Sequence, residues 1–216
     1  MSIDWIWANL QQVWTLFVNH IWLTLIPTVL GLIIAIPLGW WAHRWRRGGV
    51  VIIGTAGLLY TIPSLALFIL LPAVLGTRVL DPLNIIIALT VYTVALLVRV
   101  VSDGLSSVPH ETVAAAEAMG YRGWQRLFLV EIPVAVPVII AGLRVAVVSN
   151  VSIVTMAALI GIPQLGTLFT QGFQLRLFVP LILGILLCVV LAVIFDQLLI
   201  RIGRIATPWR RKDVPA

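Results

Sequence analysis

Few residues in this chain are equipped for chemistry, and most of them stand where charge or polarity is expensive. Arg144 and Asp196 each interrupt a long apolar run, and an ionisable side chain at membrane depth must face a charge partner or a wet cavity. Asn150, Ser152 and Thr155 bring amide and hydroxyl groups into the run that holds Arg144, while Pro63-Ser64 puts a helix break and a hydroxyl into another. Groups of this kind either wall a passage or tie neighbouring helices together. The intramembrane charges Arg144 and Asp196 are read as structural. Arg144 is expected to pair with a carboxylate or backbone carbonyls, and Asp196 to offset a basic helix end. Tyr60 and Tyr92 raise the possibility of an aromatic cage for a cation, although aromatics in apolar segments more often anchor a helix at the interface.

Nothing in the pattern points to catalysis, so no catalytic residue is assigned. His20, His43 and His110 are far apart, and no His, Cys, Asp or Glu cluster has ligand spacing, so no metal is expected. No glycine-rich phosphate loop ending in Lys-Ser or Lys-Thr occurs, and the only lysine is Lys212. The chain is therefore expected to bind no nucleotide and no cofactor of its own. Any energy it uses must come from a partner.

The elements that position these groups follow from composition. Of 216 residues, 61% are apolar and 10% charged, against about 45–50% and about 25% in soluble domains. An all-α integral membrane fold is implied, with five spans at about 21–42, 50–75, 83–101, 132–160 and 178–200. The first is an uncharged run long enough to reach about 33 Å, and thus to cross a hydrocarbon core about 30 Å thick. Pro63 and Pro72 predict a kink in the second. Residues 1–20, with Trp5, Trp7 and Trp14, read as an external segment lying in the interface. No cleavable leader is expected.

Charge sets the expected orientation. Ten of the fourteen Lys and Arg residues flank the ends assigned to the cytoplasm, namely the cluster after the first span, the 102–131 loop and the basic tail 201–216. Only Arg78 and Arg176 fall clearly on the other side, which places the N-terminus outside and the C-terminus in the cytoplasm. The net charge of +6 does not imply nucleic acid, because these cations border apolar runs instead of forming one polar face.

The loop 102–131 carries most of the information. Residues 111–119 read ETVAAAEAM, nearly all helix formers, and Gly120 follows where a left-handed terminating residue belongs. A second short helix is predicted from about 122 to 130, before Pro133 opens the next span. Ala114, Ala115, Ala116 and Ala118 present a small smooth surface beside the bulk of Trp124, Leu127 and Phe128. That surface suits either a connector packed on its own spans or a ridge seated in a partner's groove.

Ala115-Ala116, Gly120 and Val130-Glu131-Ile132-Pro133 resemble the Glu-Ala-Ala signature of the permease subunits of bacterial ABC importers. One position departs from it: the slot of the signature glutamate holds Ala114, and the acids stand at Glu111 and Glu117. The resemblance implies that Glu111, Ala114, Ala115, Ala116, Glu117, Gly120, Ile132 and Pro133 belong to a coupling loop gripped by a cytoplasmic ATPase dimer, which would hold the ATP and magnesium. It also implies a second permease subunit, the same chain or a similar one, and an extracytoplasmic solute-binding protein.

Thr61-Ile62-Pro63-Ser64-Leu65-Ala66, Ala141-Gly142-Leu143-Arg144, Gly161 and Leu165-Gly166 further resemble permeases for glycine betaine, carnitine and choline. The short five-span form is similar to the methionine permeases of the type I importer fold. The expected function is thus a permease for a quaternary-ammonium solute in the bacterial plasma membrane. Another small solute, such as a sulfur betaine or an amino acid, and a self-contained channel or secondary transporter are the alternatives. The passage would be lined by Tyr60, Pro63, Ser64, Asn150, Ser152 and Thr155.

Overall fold

The computed structural model describes residues 4–209, all in helices and short connections. A short α1 (Asp4–Ala8) precedes α2 (Leu10–Arg44). Then come α3 (Arg46–Thr61), α4 (Ser64–Leu75), α5 (Pro82–Ser106), α6 (His110–Ala118) and α7 (Gly123–Arg126). A π turn at Leu127–Glu131 leads into α8 (Ile132–Val154), a 3-10 turn at Thr155–Ile160, α9 (Gly166–Gln174) and α10 (Phe178–Ala206). Helix is what lipid demands, since every backbone polar group must be satisfied within its own segment.

Four of these units, 10–44, 82–106, 123–160 and 178–206, are long and apolar enough to cross a membrane among the described residues. The remaining long apolar stretch is broken. Its two halves, α3 and α4, meet at an angle of 101° around Ile62-Pro63. The expected kink is therefore a sharp bend at Pro63, whereas Pro72 sits buried inside an unbroken α4. Pro63 removes the amide that would continue α3, and the hydroxyl of Tyr92 donates to the carbonyl of Ile62 at the break.

α5 is the centre of the bundle. α2 crosses it closely because a Cβ at Gly31 would lie 2.4 Å from Thr93 Cγ2, and one at Gly39 would lie 2.6 Å from Val101 Cβ. Gly142 of α8 meets Val100 in the same way, at 2.3 Å. Only glycine allows backbones so near, and in lipid such close packing supplies the attraction that hydrophobicity cannot. Asp81 accepts from the amide of Leu83 at 2.9 Å, and Pro82 starts the helix with its φ already set. α10 lies on the far side of α8, where Leu191 and Phe195 join Val147, Val151, Leu165 and Leu168.

α5 runs on to Ser106, five residues into the loop expected from 102, and two further boundaries differ from the sequence expectation. From Leu10 onward the supposed interfacial segment is the first part of α2, and Val13 and Leu16 are buried in the cluster with Val147 and Phe195. The tryptophans drew attention to the surface, where Trp7 and Trp14 do lie exposed, but the alternate apolar residues found a core. Second, the helix predicted over 122–130 is no separate unit. α7 runs through the π turn into α8, so that 123–160 forms one continuous rod. Pro133 stands directly after the π turn, so its missing amide falls at the irregular step between that turn and the regular ladder of α8. The basic tail is described only as far as residue 209. The last part of it, and residues 1–3 of the expected external segment, lie outside the described residues.

Candidate functional site

The loop between α5 and α8 forms one end of the bundle. α6 ends at Ala118 with Met119 as its cap, and Gly120 turns the chain with φ +84°, a left-handed conformation that favours glycine. Arg126 holds the loop together. Its Nε donates to Glu131 and its Nη1 to Glu117, joining α6 to the π turn. Leu127 and Val108 are buried against Val101, Leu105, Ala135 and Ile139, with Val113 and Ile132 packed beside them. Ala116 is buried, whereas Glu111, Ala114, Ala115, Ala118 and Gly120 are exposed, and Pro133 is half-buried. The loop thus has an inner face that packs on its own spans and an outer face of small residues. Glu117 is turned toward Arg126, and Glu111 lies in the first turn of α6, where the helix dipole favours an acid. The end of α2 lies alongside, with His43 Nδ1 2.9 Å from the hydroxyl of Ser106 and Arg44 beside Gly123.

The passage candidates separate into two groups. Tyr60 is exposed and packs edge-on against buried Tyr92, with ring centroids 5.9 Å apart. Pro63 and Ser64 open α4, whose Phe68 shares a core cluster with Val154, Ala157 and Ile162. Thr155 donates to the carbonyl of Ser152 at 2.6 Å where α8 tightens into the 3-10 turn, and Ser152 is exposed. The α3–α4 break and the α8 break are therefore brought into one region.

Asn150 is a correction. It is buried and donates from Nδ2 to the hydroxyl oxygens of Thr28 at 2.9 Å and Thr93 at 2.8 Å. Both threonines in turn donate to the carbonyls four residues before them. Asn150 clamps α2, α5 and α8 together and faces no open space. A caging role for Tyr92 is limited likewise, since its hydroxyl is committed to Ile62.

Arg144 and Asp196 find each other. Nε of Arg144 donates to Oδ1 of Asp196 at 2.6 Å, and Nη2 to Oδ2 at 3.0 Å, a two-pronged pair joining α8 to α10. This fork matches guanidinium to carboxylate, the favoured geometry for such a contact.

Several polar contacts could not be read from the sequence. Fully buried His20 lies 3.2 Å from Gln164 Oε1 and 3.1 Å from the carbonyl of Val151, tying α2 to α8 and to the connection before α9. Gln164 also donates from Nε2 to the carbonyl of Thr155 at 3.2 Å. Their signal was a lone polar residue in an apolar surround, with its partner far along the chain. Arg99 and Asp103, four residues apart on α5, form an exposed ion pair at 3.7 Å.

Comparison with known proteins adds the following. The profile of the family described as the binding-protein-dependent transport system inner membrane component matches residues 27–204. The chain is 35% identical over 210 residues to the osmoprotectant import permease protein OsmW of Salmonella typhimurium, covering 96% of this chain and 97% of that one. It is 33% identical over 190 residues to the glycine betaine/carnitine/choline transport system permease protein OpuCB of Bacillus subtilis, covering 88% and 86%. In fold it is similar to a chain of the inward-facing MetNI methionine ABC transporter, with a TM-score of 0.80 at 22% identity, covering 96% of this chain and all of that one.

Proposed function

The chain belongs to the family of binding-protein-dependent transport system inner membrane components, and from that membership we propose that it is the permease subunit of an ATP-driven importer for quaternary-ammonium solutes. It would sit in the bacterial cell membrane with its N-terminus outside and its basic C-terminal end in the cytoplasm, the arrangement that the flanking arginines favour. A second permease subunit, identical or similar, would complete the pathway. A solute-binding protein would deliver the cargo from outside, and two cytoplasmic ATPase subunits carrying ATP and magnesium would supply the work.

The observation that supports this reading best is the loop at 107–131. Its outer alanines project at the end of the bundle, while Arg126 and Leu127 fasten it to α8. A loop so fastened transmits force: a partner that displaces α6 displaces the 123–160 rod with it. Closure of the ATPase dimer would then tilt the rod and exchange outward-open for inward-open states, a rigid-body gating of the kind transporters use. The relatives named for glycine betaine, carnitine and choline supply the solute class.

Uptake of radiolabelled glycine betaine and choline into proteoliposomes tests the proposal. Flux is expected only when permease, ATPase, binding protein and ATP are all present. Flux through the permease alone would refute it.

A further inference from the structure

Two charged pairs occupy the long helices, and they differ in how completely they are used. Arg144 and Asp196 satisfy each other through two short hydrogen bonds between α8 and α10. Arg99 and Asp103 touch only at 3.7 Å, with side chains 72% and 65% exposed, and neither side chain has a hydrogen bond among the described residues. Arg99 lies about 26 Å along α5 from Pro82 and Asp103 about 32 Å, so the pair stands at the end of the length that crosses the hydrocarbon core. Charged side chains near a helix end reach the interface, so this edge of α5 meets water and is open to a polar occupant.

The surroundings provide room for one. Arg99 and Asp103 share a recess of about 450 Å³ with Tyr60 and Gly57 of α3 and with Gly142 and Val145 of α8. That volume falls in the range of small-molecule sites, about 300–1,000 Å³. Gly57 leaves its α3 wall low, with nothing within 4 Å of where a Cβ would stand, and Tyr60 is 42% exposed.

We infer that this recess is a solute subsite on the transport pathway that recognises a zwitterion through its two opposite charges. The guanidinium of Arg99 takes the solute's carboxylate, while the carboxylate of Asp103 and the face of Tyr60 take its quaternary ammonium. The pairing is chemically matched: a guanidinium forks onto carboxylate oxygens, and an ammonium without N–H donors is held by a countercharge and an aromatic face. Because Arg99 and Asp103 cancel in net charge, a cation entering the recess meets no overall repulsion. The subsite rests on the quaternary-ammonium function proposed above and adds the residues that would distinguish a zwitterion from a simple cation.

The test uses the assembled importer in proteoliposomes, with glycine betaine as the zwitterion and choline as the cation lacking a carboxylate. Loss of one charge-assisted contact corresponds to about a tenfold effect. Arg99→Gln is expected to slow glycine betaine uptake by about that factor while leaving choline within about twofold. Asp103→Asn is expected to slow both solutes. ATP hydrolysis stimulated by the binding protein serves as the folding control and should stay near wild type in each variant. A second measurement places Val145→Cys, at a lining position with no assigned contact, in a Cys188→Ser background and labels it with a cationic, water-soluble thiosulfonate. Labelling that glycine betaine retards supports the subsite; labelling that it leaves unchanged, or no labelling at all, overturns it. If the wild-type importer carries both solutes but Arg99→Gln slows both equally or neither, the subsite alone is refuted. If the wild type carries neither solute, the proposed function falls and the subsite falls with it.

Discussion

Removing Arg126 should loosen the coupling loop through the acid it leaves behind more than through the contacts it takes away. The Glu131 side chain is 4% exposed, that of Arg126 16% and that of Glu117 57%. Arg126→Met therefore strands a buried carboxylate, a loss measured at about 3–5 kcal/mol when one partner of a buried pair is removed. The lower end, about 3 kcal/mol, applies because water reaches the edge of Arg126. Glu117→Gln removes only the exposed arm and should cost about 0–1 kcal/mol. Replacing both members of the inner pair, Arg126→Met with Glu131→Leu, should regain most of the loss, since apolar side chains of similar size need no desolvation. A cost of about 3 kcal/mol raises the open population of the loop by about a hundredfold. Proteolysis of the 107–131 segment in detergent-solubilised permease reads that population when opening is fast relative to cleavage. Cleavage of Arg126→Met near the wild-type rate would refute the reasoning. So would a double variant cleaved as fast as the single one.

Other expected outcomes follow from the same geometry. Asn150→Val removes two buried hydrogen bonds, each worth about 0.6 kcal/mol in a membrane protein; it should lower resistance to unfolding in SDS while leaving solute KM unchanged, and a change in KM alone would return Asn150 to the passage. At Gly120 a Cβ would meet nothing within 4 Å, so backbone strain decides: Gly120→Val should uncouple ATP hydrolysis from uptake, whereas Gly120→Asn should retain most transport, because asparagine tolerates φ above zero. Arg144→Gln and Asp196→Asn should each lower the thermal midpoint in detergent. The exchange Arg144→Asp with Asp196→Arg should recover part of it, and no recovery would show that the pair does not join α8 to α10.

Much of the loop was readable in the sequence, because its signals are local. The helix-forming run before Gly120 became α6 with the left-handed turn beside it. The second helix was placed correctly but ended wrongly, since a π turn carries it into α8. Pro63 and Pro72 looked alike in the sequence, but Pro72, like Pro27, Pro37 and Pro137, lies inside a continuous helix, whereas Pro63 marks a sharp break. What distinguishes Pro63 includes the hydroxyl of Tyr92 arriving from another helix to meet the released carbonyl. No local pattern announces that arrival.

The amino-acid sequence by itself determined that the chain is helical, apolar and built to cross a lipid layer several times. Lipid imposes those features segment by segment, through backbone groups that must be satisfied within each helix. It also determined where basic ends and the polar loop lie, because charge at a helix end is read locally. Only the tertiary structure decided which polar side chains consume one another. Asn150 reaches Thr28 across 122 positions, His20 meets Gln164 across 144, and Arg144 meets Asp196 across 52. Each buried polar group needs a partner, but the partner's identity depends on which helix faces cross. Here glycines on α2 and α8 set those crossings against α5, and they leave Arg99 and Asp103 loosely paired at its open edge.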